Sequence, residues 1–255
     1  MNPQNDQGIW MKSEWPVPPQ VRAGTTTRIC GYSQPPYDAF NLASHVGDDH
    51  DRVKQNRNQL KKALSLPLDP VWLRQEHSNI AVRAELYSGR ETADAIYTDS
   101  HGTVLTVLTA DCIPILLSND TGTEIAAIHA GWRGLCTMII DNTLGLFRAR
   151  SSHIIAWLGP HISSSHYEVG YDVKSACIEK LGIDVDIAFM PDAGNRWQAD
   201  LGKIASLQLL KHGVDRIYNS GYCTYKDNEM FYSYRREKKT GRMATLIWID
   251  DRPIS

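Results

Sequence analysis

Apolar residues along this chain fall mostly in short β-branched runs, with amphipathic stretches between some of them. Runs of this length and composition read as strands. They lie at Val71–Gln75, Thr103–Thr109, Ile113–Ser118, Glu124–His129, His153–Leu158, Ile183–Met190, Arg216–Asn219, Phe231–Tyr234 and Met243–Ile249. Helical spacing covers Asp51–Leu64, where Val53, Leu60 and Leu64 share a face, and Leu135–Phe147, which follows a glycine-flanked turn. Asp172 is placed to cap a helix over Val173–Leu181 that Gly182 stops, and Asp200 to cap Leu201–Lys211 ahead of Gly213. Strands outnumber helices and do not alternate strictly with them. That pattern predicts an α+β fold with mixed sheets rather than a doubly wound parallel sheet.

No repeat, low-complexity tract or linker interrupts the pattern, and Trp15–Pro19 reads as an extended entry, so residues 1–255 are expected to form one domain. The most apolar stretch, Thr103–Leu117, contains Asp111 and is too short to span a bilayer. The first twenty residues lack a basic segment followed by an apolar run. A formal net charge of −2 gives no global attraction to nucleic acid or acidic membranes. The five cysteines are odd in number, widely spaced and without a CxxC pair, which argues for thiols in a reducing compartment rather than a disulfide framework. The expectation is a cytoplasmic protein with a small-molecule substrate and neither membrane nor nucleic-acid partners.

Three segments carry candidate chemistry. Thr109-Ala110-Asp111-Cys112 separates two apolar runs, and Pro114 interrupts the ladder just beyond, so the Cys112 thiol can face a cavity. Asp111 is a charge in apolar surroundings that must find partners. Taken alone, Cys112 reads more simply as a buried structural cysteine. His129-Ala130-Gly131-Trp132-Arg133-Gly134 puts His129 at a strand end, with a helix start and Arg133 placed to hold an anion. Gln75-Glu76-His77 puts a second histidine at a strand end, which alone reads as a surface residue. Together, two imidazoles and a thiolate make a three-ligand zinc set with a fourth position open. Without metal they make a Cys–His nucleophile pair with a second histidine. Spacing does not choose between the two, nor does it bring the three side chains together.

The strings GYSQPPYDAFNLASHVGDD (31–49), NRNQL (56–60), VWLRQEH (71–77), ADAIYT (93–98), LTADCIPILL (108–117), EIAAIHAGWRGL (124–135), WLGP (157–160), YEVG (167–170), CTY (223–225) and FYSYRREKKTGRMATLIW (231–248) span nearly the whole chain. In them the chain resembles the YfiH family, also called the laccase-domain or multicopper polyphenol oxidase-like family, whose bacterial members include a peptidoglycan editing factor. The resemblance implies a metal site at His77, Cys112 and His129. It also implies a four-layer α/β/β/α fold with mixed sheets, similar to the catalytic domain of cytotoxic necrotizing factor. Glu76 and Ser78 stand where relatives usually read QVHG, which alters charge beside the site. His161 and His166 have no ligand counterpart and are read as loop residues. His45 is a candidate substrate contact through the same resemblance. Arg28, Asn41 and Arg133 are further candidates, against the plainer reading of structural hydrogen bonding.

The activities so implied are phosphorolysis of adenosine, inosine and methylthioadenosine, adenosine deamination, and, as an alternative, amide hydrolysis of the mis-made precursor UDP-MurNAc-L-Ser. Zinc is the expected cofactor, with copper able to occupy the same N/S donors in vitro. Phosphorolysis needs a phosphate site, for which Arg28 or Arg133 is available. Laccase chemistry is disfavoured: trinuclear copper centres use His-x-His pairs, and the chain has none. A non-catalytic metal module would instead show a closed four-ligand site without a pocket.

Overall fold

The computed structural model describes residues 8–181 and 184–251. In chain order the elements are β1 (Trp10–Lys12), β2 (Val21–Thr26), α1 (His50–Ala63), β3 (Val71–Trp72), β4 (Ala81–Arg83), β5 (Ala95–Thr98), β6 (Leu105–Thr109), β7 (Ile113–Asn119), β8 (Ile125–Ala130), α2 (Trp132–Cys136) and α3 (Ile139–Leu144). The second half adds β9 (Ile154–Leu158), β10 (Glu168–Val169), α4 (Tyr171–Leu181), β11 (Phe189–Asp192), β12 (Arg196–Ala199), α5 (Leu201–Lys211), β13 (Arg216–Asn219), α6 (Tyr234–Glu237) and β14 (Met243–Ile249).

Two mixed sheets dominate, a five-stranded one in the order β1-β2-β14-β6-β3 and a six-stranded one in the order β13-β9-β7-β8-β5-β4. Strand alternation shows how they stack. Leu105, Val107, Ile247 and Ile249 from the first sheet share a core with Ile96, Leu116, Ile125, Ala127 and Trp157 from the second. The alternate residues of the first sheet, Leu108, Ala244, Leu246 and Trp248, pack with Leu60 of α1 and with Phe40 and Leu42. The alternate residues of the second, Ile113, Ile115, Ala126, Ile128 and Ala156, pack with Leu135, Ile140, Cys177 and Ile204 from the helices that cover it. Because successive side chains of a strand point to opposite faces, this partition makes a single domain of four layers, helix, sheet, sheet and helices.

Several expectations need correction. A third, antiparallel sheet of order β10-β12-β11 accompanies the two large ones. The helix expected over Leu135–Phe147 is broken into α2 and α3, because Met138 takes the left-handed conformation at φ 69°. Asp172 lies in the first turn of α4 rather than before it, and its expected stop, Gly182, falls outside the described residues. Of the strand expected over Ile183–Met190, Ile183 lies outside the described residues, and among the rest the strand begins at Phe189, after a short 3-10 turn at Asp186–Ala188. Phe231–Tyr234 is not a strand: Phe231 and Tyr232 are fully buried plugs, and the Tyr232 hydroxyl donates to the Tyr37 carbonyl. Cys136 and Cys177 form a disulfide between α2 and α4, which a sequence separation of 41 residues conceals. Cys30, Cys112 and Cys223 are free. Among the described residues no helix is long and apolar enough to cross a membrane.

Candidate metal centre

The cluster forms where the chain passes from one large sheet to the other. β6 ends in the five-stranded sheet at Thr109 and β7 begins in the six-stranded sheet at Ile113. Ala110, Asp111 and Cys112 make the crossing. Asp111 bends it with φ 95°, a conformation few non-glycine residues adopt. Its carboxylate finds the partners that its burial demands, accepting from the Thr224 hydroxyl at 2.7 Å and from the Arg235 backbone N–H at 2.6 Å. Its carbonyl accepts the Ile162 N–H at 3.0 Å. The crossing thus sets Cys112 at the mouth between the sheets. His129 lies near the end of β8, opposite Pro114 of β7 and on the strand face of Ile125 and Ala127. His77 follows β3 in another sheet-to-sheet connection, at φ 59°.

One buried carboxylate holds both histidines, His129 by its ring and His77 by its backbone. Asp94 Oδ1 accepts from His129 Nδ1 at 2.7 Å and from the His77 backbone N–H at 3.1 Å. Its Oδ2 accepts from the Ser78 N–H and hydroxyl, each at 2.6 Å, and from the Glu76 N–H at 3.2 Å. With Nδ1 bonded to a carboxylate, His129 presents Nε2 to the cluster, the arrangement that orients metal-ligating histidines. Cys112 Sγ lies 3.6 Å from His77 Nε2, and the two imidazole rings meet edge-on with centroids 4.8 Å apart. One ligand atom from each of His77, Cys112 and His129 lies within 4.8 Å of the others. Burial resists charge on the thiol, yet the charge of His129 and hydrogen bonds from both imidazoles hold Cys112 well below an ordinary thiol. Burial likewise opposes charge on His129, and Cys112 and Asp94 together raise it. Gly131 completes the cradle: a Cβ there would stand 2.9 Å from Cys112 Sγ and 3.1 Å from His77 Cδ2. A borderline-soft donor set this close, backed by a carboxylate, fits zinc.

The cluster borders a cleft of about 560 Å³. His45 and Arg133 from the sequence-derived set line this cleft. Arg28 and Asn41 do not. Arg28 is held by the Asp38 carbonyl and Glu237 and stacks on Tyr232. Asn41 is buried, bonded to Asp48, to both backbone groups of Ala43 and to the Arg242 N–H. Both side chains are engaged in the fold, which accords with the plainer reading. His161 donates from Nδ1 to the Gly159 carbonyl, and His166 stacks on Tyr225, so both lie apart from the cluster. Sequence reasoning missed Asp94, Arg235 and Arg242. The signal for Asp94 was a lone acid between alanines at the head of β5; the two arginines stood in the SYRR and TGR strings without an assigned role.

A family described as multi-copper polyphenol oxidoreductase laccase matches residues 22–250. A Shigella flexneri protein named purine nucleoside phosphorylase YfiH is 44% identical over 238 residues, covering 92% of this chain and 97% of its own. A Haemophilus influenzae purine nucleoside phosphorylase is 42% identical over 242 residues, covering 92% and 97%. The crystal structure of Neisseria meningitidis protein NMB0706 superposes with a TM-score of 0.91 at 38% identity, covering 95% of this chain and 99% of that one. Bacillus licheniformis YfiH superposes at 0.88 and 27% identity, covering 98% and 100%. On profile, sequence and fold, with the clustered His77, Cys112 and His129 set in that frame, the chain belongs to the YfiH, laccase-like family.

Proposed function

We propose that the chain is a zinc-dependent purine nucleoside enzyme of the cytoplasm, carrying out phosphorolysis of adenosine, inosine and methylthioadenosine and deamination of adenosine. The observation that carries this reading is a three-donor cluster bordering a cleft that also holds aromatic and cationic side chains. Relatives named purine nucleoside phosphorylase support it. A purely structural metal calls for four protein donors and no adjoining cavity. Multi-copper chemistry calls for several donor groups, and the described residues hold one.

His77, Cys112 and His129 would hold the zinc. Bound zinc supplies Lewis acidity and the means to ionise water near neutral pH. Asp94 keeps the proton on His129 Nδ1 and fixes the ring. Trp132, Tyr167 and Tyr234 offer faces against which a planar base stacks. Arg133 rests over Trp132, and Arg235 over Tyr167, so each pairs positive charge with a ring at the cleft wall. In phosphorolysis, a phosphate oxygen bonds to the ribose anomeric carbon as the bond to the base breaks. Zinc-loaded protein given inosine and phosphate is expected to release hypoxanthine. Inosine and adenosine both left unchanged would sink the proposal.

A second reading, with peptidoglycan precursor editing as the physiological role, is favoured by charge. Arg133, Arg235, Lys238 and Arg242 line the cleft, while the one lining carboxylate among the described residues, Asp111, is bonded to Thr224 and Arg235. Such a surface suits a polyanion such as UDP-MurNAc-L-Ser. Release of L-Ser from that precursor, with the L-Ala form untouched, is the expected result. Equal hydrolysis of both, or of neither, counts against editing.

A further inference from the structure

Near His45 lie two guanidinium groups, of Arg57 and Arg242, that form no ion pair with a carboxylate among the described residues. Arg28, Arg83, Arg148 and Arg236 all pair with acids. Arg57 and Arg242, among the described residues, pair with none. Arg57 stacks on Trp72 at 3.8 Å and directs Nε and Nη2 to the Leu42 carbonyl. Arg242 directs Nη1 to the carbonyls of Thr240 and Gly241, which leaves its Nε and Nη2 without a protein partner among the described residues. The same loop joins the two arginines. Leu42 N–H donates to the Arg242 carbonyl, and Asn41 Oδ1 accepts the Arg242 N–H. His45, on that loop, makes no side-chain hydrogen bond among the described residues and lines the cleft together with Arg242.

Guanidinium groups withdrawn from water without a counter-ion carry a desolvation cost that an anion relieves. Burial lowers the pKa of both arginines, with Cys112 and Asp111 pulling that of Arg242 the other way, and burial followed by the charges of Arg242 and Arg57 lowers that of His45. By contrast, Arg235 already donates to the Glu168 carbonyl, and Arg133 is laid over Trp132.

We infer that His45, Arg57 and Arg242 form an oxyanion subsite of the cleft that takes a phosphate group, with His45 and Arg242 as its contact residues and Arg57 as a supporting charge. The subsite rests on the reading of this cleft as the substrate site, but not on which reaction occurs there. Its phosphate has two possible sources, free inorganic phosphate or the diphosphate of a nucleotide-linked sugar. Planar, forked guanidinium donors suit either.

The test is calorimetric titration of inorganic phosphate, and separately of UDP, into zinc-loaded protein, using wild type, Arg242→Met, His45→Ala and Arg57→Lys. Arg242→Met is expected to weaken anion binding at least about tenfold, the scale of a lost charge-assisted contact, with zinc content and melting temperature retained. His45→Ala has a smaller effect in the same direction. Arg57→Lys keeps the charge and stays within a few-fold of wild type. Displacement of bound phosphate by UDP assigns the subsite to nucleotide diphosphates, and phosphate binding that UDP does not displace assigns it to the free ion. Affinities in Arg242→Met and His45→Ala within twofold of wild type, or no binding of either anion by wild type, overturn the inference. Anion binding that is intact and Arg242-dependent, in a protein without phosphorolysis, would overturn the nucleoside reading and leave the subsite standing.

Discussion

Among the described residues, two corners pair a cysteine with a histidine, and one of them has the makings of an active centre. At the cleft, Cys112 stands 3.6 Å from His77, with His129 beside it and Asp94 bonded to the His129 ring and to the His77 backbone N–H. In the loops after β9 and β13, Cys223 Sγ stands 3.7 Å from His166 Nδ1. There the sulfur receives the N–H and hydroxyl of Ser163, and apart from that sulfur the imidazole meets the hydroxyls of Ser163 and Ser165 and the face of Tyr225. Proximity of sulfur to imidazole is therefore not the distinguishing feature. What distinguishes the first corner is a third donor, a buried carboxylate that fixes ring orientation, and open space on the remaining side.

Removing the two sulfurs separately tests this contrast most severely. Cys112→Ala is expected to reduce turnover by about a thousandfold or more and to abolish stoichiometric zinc, on the scale seen when a nucleophile or ligand is lost. Its fold should survive, since loss of one small side chain costs about 1–3 kcal/mol, and circular dichroism melts check this. Thiol reactivity sharpens the same contrast. In chelator-treated protein Cys112 should react with iodoacetamide rapidly at pH 7, because its thiol is brought down to about 6. The thiolate is present above that value and is lost as pH falls through it, so peptide mapping should show the rate at Cys112 dropping below pH 6, with Cys223 slow throughout. Asp94→Asn comes next: zinc affinity measured by competition should fall about ten- to a hundredfold, as for other carboxylates behind ligating histidines. Gly131→Ala should lower zinc affinity by a smaller factor, since the added methyl meets Cys112 Sγ at 2.9 Å and the sulfur must shift. The smallest effect belongs to Cys223→Ser, expected to leave zinc content and turnover within about twofold and to cost about 1 kcal/mol of stability. A large loss of zinc in Cys223→Ser would break the comparison.

Elements whose burial is decided by their own side chains could be read from the sequence. Arg216–Asn219, Met243–Ile249 and the Asp200-capped helix Leu201–Lys211 have the expected bounds, and β7, β8 and β9 fall within a residue of theirs. β2 was missed because its buried residues include Gly24 and the threonines 25 and 26, which carry little apolar signal. Phe231–Tyr234 misled in the opposite way, since an aromatic run buried by plugging looks like one buried by pairing. At the site, residue type singled out His77, Cys112 and His129 as candidates, and the family strings grouped them. Asp94 was invisible for a physical reason: a carboxylate earns its place through partners at Glu76–Ser78 and His129, which only the fold supplies. Arg28 and Asn41 show the converse, polar residues in distinctive strings whose hydrogen bonds serve the loops around them.

The crossing from β6 to β7 has a consequence for how an ion would act on the protein. Its thiol belongs to the link between layers, and the neighbouring imidazoles arrive on β8 and after β3. An ion held there would behave as a rivet through the sandwich, since no single layer carries all its donors. In the unfolded chain those donors lie far apart in sequence, so affinity for the ion and integrity of the joint rise and fall together.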